Sequence, residues 1–264
     1  MKTAHVLTAG AALAAMLASG SALAQYTIKV GAAYIDPHAS STDLKGQLPV
    51  VNNGTYHGNA NLNGGLSLEV QKKSTVVASI ERAFNDNWSA EFFLGYPPQH
   101  DVKLRVNNLD LTATPTLGGG SVPLQTALLN GTKQKIGNDN GLVVSTVRQW
   151  APTLFLNYKF LDASSKFRPF VGVGINMTRF KARTNTVGDA LYSDGKPYVR
   201  LSDSFGPAFQ VGASYKLDET WSLNASVATA KVKNKLTIET NHSRQEAAFR
   251  FNPTVFTATV GYSF

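Results

Sequence analysis

Six charged side chains interrupt segments that are otherwise mostly apolar or small: Lys29, Glu81, Glu91, Lys159, Arg168 and Lys216. Four cations and two anions held away from water are costly unless paired. Two chemistries follow, a salt-bridged plug or a polar path for ions. Histidine offers a third. After residue 24 the chain has His38, His57, His100 and His242, and none has a metal-ligand spacing such as H-x-x-x-H. His100-Asp101 could serve as the acid–base pair of a lipid-modifying enzyme, although a structural role is the simpler reading. There is no cysteine, hence no disulfide framework, thiolate nucleophile or cysteine metal site. No metal or cofactor is expected.

The elements that must position these groups are strands. Counting back by twos from the C-terminus gives Phe264, Tyr262, Val260, Ala258 and Phe256, against the mostly small or polar Ser263, Gly261, Thr259, Thr257 and Val255. This is a period-2 strand with one greasy face. Seven more segments alternate in the same way: Tyr26–Ile35, Val76–Phe84, Trp88–Tyr96, Trp150–Phe160, Phe167–Thr178, Phe205–Leu217 and Trp221–Val227. Their connections alternate too. Residues 85–87, 161–166 and 218–219 are short turns, whereas 36–65, 107–141, 184–197 and 240–246 are longer. An even number of strands with short turns on one side and long loops on the other predicts an all-β, eight-stranded antiparallel transmembrane barrel. Aromatics such as Trp88, Tyr158, Trp221 and Tyr262 gather at the short-turn end, as an interfacial girdle would. A soluble barrel with inverted faces fits the alternation equally well but fits the girdle and the terminal strand poorly.

Lys2, an apolar run from Val6 to Ala18 and Ala22-Leu23-Ala24 read as a secretory signal peptide over residues 1–24, leaving 25–264 as one barrel domain. The apolar run is too short for a transmembrane helix, and nothing after Ala24 approaches one. The formal net charge is +8. It is spread over barrel walls rather than along one groove, so no nucleic-acid partner is expected.

The terminal strand resembles the C-terminal signature of bacterial outer-membrane barrels, which implies handling by the barrel assembly machinery. Further segments resemble one family. They are Val30-Gly-Ala-Ala-Tyr-Ile-Asp-Pro37, Asn87 to Asp101 (NWSAEFFLGYPPQHD), Pro152 to Phe160, Arg168 to Asn176, Asp203-Ser-Phe-Gly206 and Asn252-Pro253. Together they resemble the outer-membrane protein W (OmpW) family. The chain departs from that pattern over residues 109–140, a Gly- and Thr-rich stretch longer than the family usually needs. The resemblance implies a monomeric barrel in the outer membrane with a narrow apolar channel. It implies that small hydrophobic molecules cross the lipopolysaccharide leaflet and leave sideways into the membrane, with no reaction catalysed. A non-transport surface barrel, acting as a receptor or in stress, is the alternative, and a lipid A-modifying enzyme a weaker one.

Strand phase adds candidates. Phe93, Phe155, Phe170, Phe180, Val232, Leu236 and Ile238 fall on the inward phase as a hydrophobic lumen or mouth, either binding a solute or filling one another's space. Pro97-Pro98 removes two ladder donors and is either a lateral gate or a bulge ending the strand. Arg179, Lys181, Arg183, Lys231, Lys233 and Lys235 continue the outward phase above the apolar band. There they would meet lipopolysaccharide phosphates or remain solvated.

Overall fold

The structure is a computed structural model that describes residues 26–192 and 194–264. The expected signal peptide lies outside the described residues. In chain order the strands begin with β1 (Tyr26–Asp36), β2 (Ser40–Ser41), β3 (Lys45–Asn52), β4 (Thr55–Val70), β5 (Lys73–Ala83), β6 (Trp88–Gly95) and β7 (Gln99–Ala113). A 3-10 turn (Leu117–Gly120) and helix α1 (Val122–Asn138) follow, then β8 (Val143–Trp150), β9 (Thr153–Lys159), β10 (Phe167–Thr184) and helix α2 (Thr186–Leu191). The chain closes with β11 (Tyr198–Leu201), β12 (Ser204–Lys216), β13 (Trp221–Ala230), β14 (Val232–Glu239), β15 (Arg244–Phe251) and β16 (Thr254–Ser263).

Eight of these strands make a closed antiparallel wall. β16 pairs with β1 and β13, and the ring continues β1–β5–β6–β9–β10–β12–β13. Closure leaves the terminal strand no open edge, as lipid requires. Val171, Val173, Ile175 and Met177 on β10 are exposed, as are Phe209 and Val211 on β12, while the alternate residues face inward. The lipid-facing run of β10, Phe167 to Met177, is about 25 Å tall at ~3.3 Å per residue and a tilt of ~40°. At its periplasmic end Trp88, Tyr158 and Phe160 pack edge-to-face, and Trp221 meets Tyr262 in the same way.

The two longest expected loops, 36–65 and 107–141, are not loops. The wall strands run on beyond the apolar band as a second sheet, in the order β11–β14–β15–β2–β4–β7–β8–β10. Inside it lies an apolar core that includes Leu44, Leu48, Leu62, Leu104 and Leu236. Most of 36–65 is therefore strand. Residues 107–141 hold the end of β7, the 3-10 turn and α1. α1 contains Gly131 and Gly137 and buries only Leu128 and Ile136, so its own propensity is weak and packing against the sheet holds it. The expected strand over Trp150–Phe160 is broken at Ala151-Pro152, because proline cannot donate to the ladder.

Candidate functional site

Four of the inward charges form one cluster. Lys29 Nζ, from β1, lies 2.6 Å from Glu81 Oε2 and 3.0 Å from Glu91 Oε1. Lys159 Nζ, from β9, lies 2.6 Å from Glu81 Oε1. The Ser79 hydroxyl donates to Glu91, and the Ser89 hydroxyl donates to Glu81. The Asn157 and Gln210 amides donate to Glu91 Oε2 at 3.0 and 3.1 Å. Glu81 and Glu91 are 2% and 4% exposed, so both carboxylates meet cations and neutral donors at once. Gly172 on β10, registered between Asn157 and Gln210, makes room for this, since a Cβ there would collide with the Asn157 oxygen and Gln210. Asn157 and Gln210 were legible only as inward-phase residues. Nothing in their spacing marks them as partners of Glu91.

Arg168 and Lys216 do not join that cluster, contrary to expectation. The Arg168 guanidinium donates to the carbonyls of Asp86, Phe160 and Leu161, and the Lys216 ammonium donates to the Ala163 carbonyl. Both sit at the ends of their strands, where free turn carbonyls are nearer than either glutamate. They fasten the periplasmic turns from within.

Above the charged layer the lumen turns apolar. Phe93 and Phe170 stand over the glutamates, with Lys29 Nζ 5.8 Å from the Phe170 ring centre. Next comes a mostly apolar chamber, lined by Ala33, Val77, Phe155, Ala208, Ala228 and Val232 among others. Of the expected lumen residues, Phe93, Phe155 and Val232 line the chamber and Phe170 lies beneath it. Phe180, Leu236 and Ile238 do not reach it. They are buried in the extracellular core, where Phe180 stacks on Phe251 at 5.4 Å and Phe251 on Phe249 at 5.6 Å. Val232 belongs to both regions, so this core sits directly on the chamber.

The wall beside the chamber is incomplete. Between β6 and β9 the ladder ends at Phe93 opposite Thr153. It resumes where the Gln149 N–H donates to the Pro98 carbonyl, ahead of Gln99 opposite Arg148. Five residues, 94–98, thus face four, 149–152, which is a bulge. Each side bonds away from the seam instead: the Tyr96 N–H donates to Val76, and the Pro152 carbonyl accepts from Met177. Pro97, Pro98 and Pro152 all lie within it. On the other flank of Pro97-Pro98 the pairing with β5 also lapses, but without a register shift: it stops at Tyr96 and resumes between Gln71 and Asp101. Gly95, Pro98, Gln149 and Ala151 belong to both the seam and the chamber lining. Asn176 on β10 donates to Thr153 Oγ1 at 2.8 Å and reaches the Ala151 and Pro152 carbonyls at 3.5 and 3.4 Å.

His100 and Asp101 point to opposite faces of β7 and cannot act as one acid–base pair. His100 is 1% exposed and its Nδ1 bonds the Gln71 carbonyl at 2.8 Å. Burial holds its pKa below the ordinary imidazole value. The six outward cations Arg179, Lys181, Arg183, Lys231, Lys233 and Lys235 are all exposed. Arg179 lies 3.3 Å from Asp203, and Lys235 2.7 Å from Glu246.

Three comparisons bear on what this barrel is. The sequence model of the OmpW family matches residues 24–264. Outer membrane protein W of Vibrio cholerae is 32% identical over 186 residues, covering 70% of this chain and 77% of that protein. The Escherichia coli protein of the same name is 36% identical over 132 residues, half of this chain and 61% of that protein. The matched stretch thus spans about three fifths of the Escherichia coli relative. Among solved structures, outer membrane protein OprG of Pseudomonas aeruginosa superposes with a TM-score of 0.66 at 22% identity, covering 91% of this chain and 95% of that one. Outer membrane protein AlkL superposes with a TM-score of 0.51 at 20% identity, covering 91% and 90%. At those identities the likeness speaks for the fold alone.

Proposed function

The chain belongs to the OmpW family of outer-membrane proteins, and from that premise we propose that it is a passive channel for small hydrophobic molecules. The molecules lodge in the lumenal chamber and leave sideways through the seam between Leu94–Pro98 and Gln149–Pro152. One observation carries this reading: the apolar chamber abuts the stretch of wall whose ladder is both interrupted and shifted. Straight passage along the axis is obstructed at both ends. The charged layer lies below the chamber and the extracellular apolar core above it. An ion path fits poorly, because each lumenal carboxylate is already held by cations. Catalysis has no support in the site's geometry, since His100 is buried against the Gln71 carbonyl and Asp101 points to the opposite face of the strand.

The test is uptake of a long-chain alkane or a fluorescent apolar dye by cells or proteoliposomes carrying the protein. Ala208→Trp fills the chamber and should cut uptake by roughly tenfold or more, by excluding the solute from its site. Replacing Pro97 and Pro98 with Thr and Val restores two ladder donors and should slow uptake while folded yield is unchanged. Normal uptake by the Trp variant would sink the channel reading. Normal uptake by the proline variant alone would sink the lateral exit and leave the chamber.

A further inference from the structure

We propose that one flank of the extracellular half binds the phosphate groups of lipopolysaccharide, and that the opposite flank does not. The cations start at the first outward position above the lipid-facing band. On β10 the outward series runs Val173, Ile175, Met177 and then Arg179, Lys181, Arg183, with no change of phase. On β13 and β14 it runs Leu223, Ala225, Val227, Thr229 and then Lys231, Lys233, Lys235.

Register extends these rows sideways. Lys181 is directly opposite Arg148 on β8, and Lys233 is directly opposite Arg250 on β15. β11 lies against both β10 and β14 and adds exposed Arg200. The basic surface therefore crosses five neighbouring strands. Like charges directly opposite one another destabilise a sheet. Here two such pairs persist with no carboxylate to relieve them. Among the described residues only Arg179 and Lys235 of the six predicted cations form ion pairs, and Arg148, Arg200 and Arg250 form none. Water and salt screen that repulsion in part, and a bound external anion would offset it directly.

The other flank is built differently. There Lys72 is 2.6 Å from Asp36, and Arg105 is 2.6 Å from Glu69. Lys103 is registered opposite Glu69. Each of these three cations faces an acid at its own height, Glu69 serving two of them, so an external anion has less to offset. This chain sits in the outer membrane, whose outer leaflet presents lipopolysaccharide phosphates just above the hydrocarbon band. Arginine and lysine side by side suit that ligand, one with a planar fork and the other with a point charge.

The test uses the full folded protein in nanodiscs or detergent, with native mass spectrometry or a binding titration as readout. Three probes are compared: bisphosphorylated lipid A, the same lipid A stripped of both phosphates, and phosphatidylglycerol. A quadruple variant (R148Q, K181Q, K233Q, R250Q) should lose roughly tenfold or more of its affinity for bisphosphorylated lipid A, and the loss should shrink in high salt. A balanced-flank variant (K72Q, K103Q, R105Q) should bind like the parent. Equal binding of dephosphorylated lipid A overturns the proposal, as does equal loss in the two variants. Binding phosphatidylglycerol as tightly as lipid A would mark the flank as a general anionic-lipid surface and equally overturn it. None of these readouts depends on uptake, so the transport reading can fail without affecting this one.

Discussion

The two halves of this cylinder invert one another without a change of strand phase. In the membrane half the outside is apolar and the inside holds glycine, amides and ion pairs; β10 reads Val173 and Ile175 out, Gly174 and Asn176 in. Six residues on, the same strand has Arg179 and Lys181 out and Phe180 in, packed in an apolar core. The solvent decides the inversion. Lipid rewards an apolar exterior, and water above the headgroups rewards an apolar interior. The chamber lies where the two regimes meet, and there the lumen is neither ion-paired nor fully packed. The cavity belongs to the junction between two ways of filling a barrel.

Breaking the lower half should have the largest effect. Glu81→Ala leaves buried Lys29 and half-buried Lys159 with Glu91 as the one nearby carboxylate, and should cost about 3–5 kcal/mol. Urea unfolding in micelles, or loss of heat-modifiable migration on a gel, would register it; an unchanged midpoint would mean the layer is not under electrostatic load. The upper half should break locally. Leu236→Ala empties a fully buried site and should cost about 2–5 kcal/mol. Hydrogen exchange should then quicken in β14 and β15 while the wall strands keep their protection. Simultaneous loosening of the wall would show that the halves are one cooperative unit.

A smaller effect concerns acid. Because burial lowers the His100 pKa, the unfolded chain binds its proton first, at about pH 6.5. The stability tied to neutral His100 is complete above that value and declines as pH falls below it. His100→Asn retains a donor for the Gln71 carbonyl, so the protection of β7 amides relative to their intrinsic exchange rates should lose its pH slope between 7 and 5. A slope that survives would assign it to other groups. The smallest effect is at the exposed surface. Hydrogen bonds from Lys235 and then Arg244 hold the Glu246 pKa below the usual carboxylate value. Its contribution is present above that usual value and lost as pH falls through the lowered one. Being exposed, Glu246→Gln should leave the unfolding midpoint unmoved at neutral pH.

Much of this was legible in the chain, and the misses have a common cause. Alternation named the wall strands, the inward glutamates and Pro97-Pro98. It carried the phase of the seventh strand on through β14, but it missed β3, β4, β7, β8, β15 and helix α1, which draw their stability from packing on one another. It also placed Arg168 and Lys216 with the wrong partners, although it assigned them to the correct face.

By itself, then, the sequence determined which way each wall residue points, because side-chain phase is a local property with period two. It determined the strand number and the even parity of the ring for the same reason. The tertiary structure alone decided who meets whom. Lys29 finds Glu91 across 62 residues, and Gln210 finds it across 119. The bulge that opens the seam exists only as a mismatch between β6–β9 and β7–β8. Such facts depend on the register between distant strands, and register is set by the closing of the whole ring.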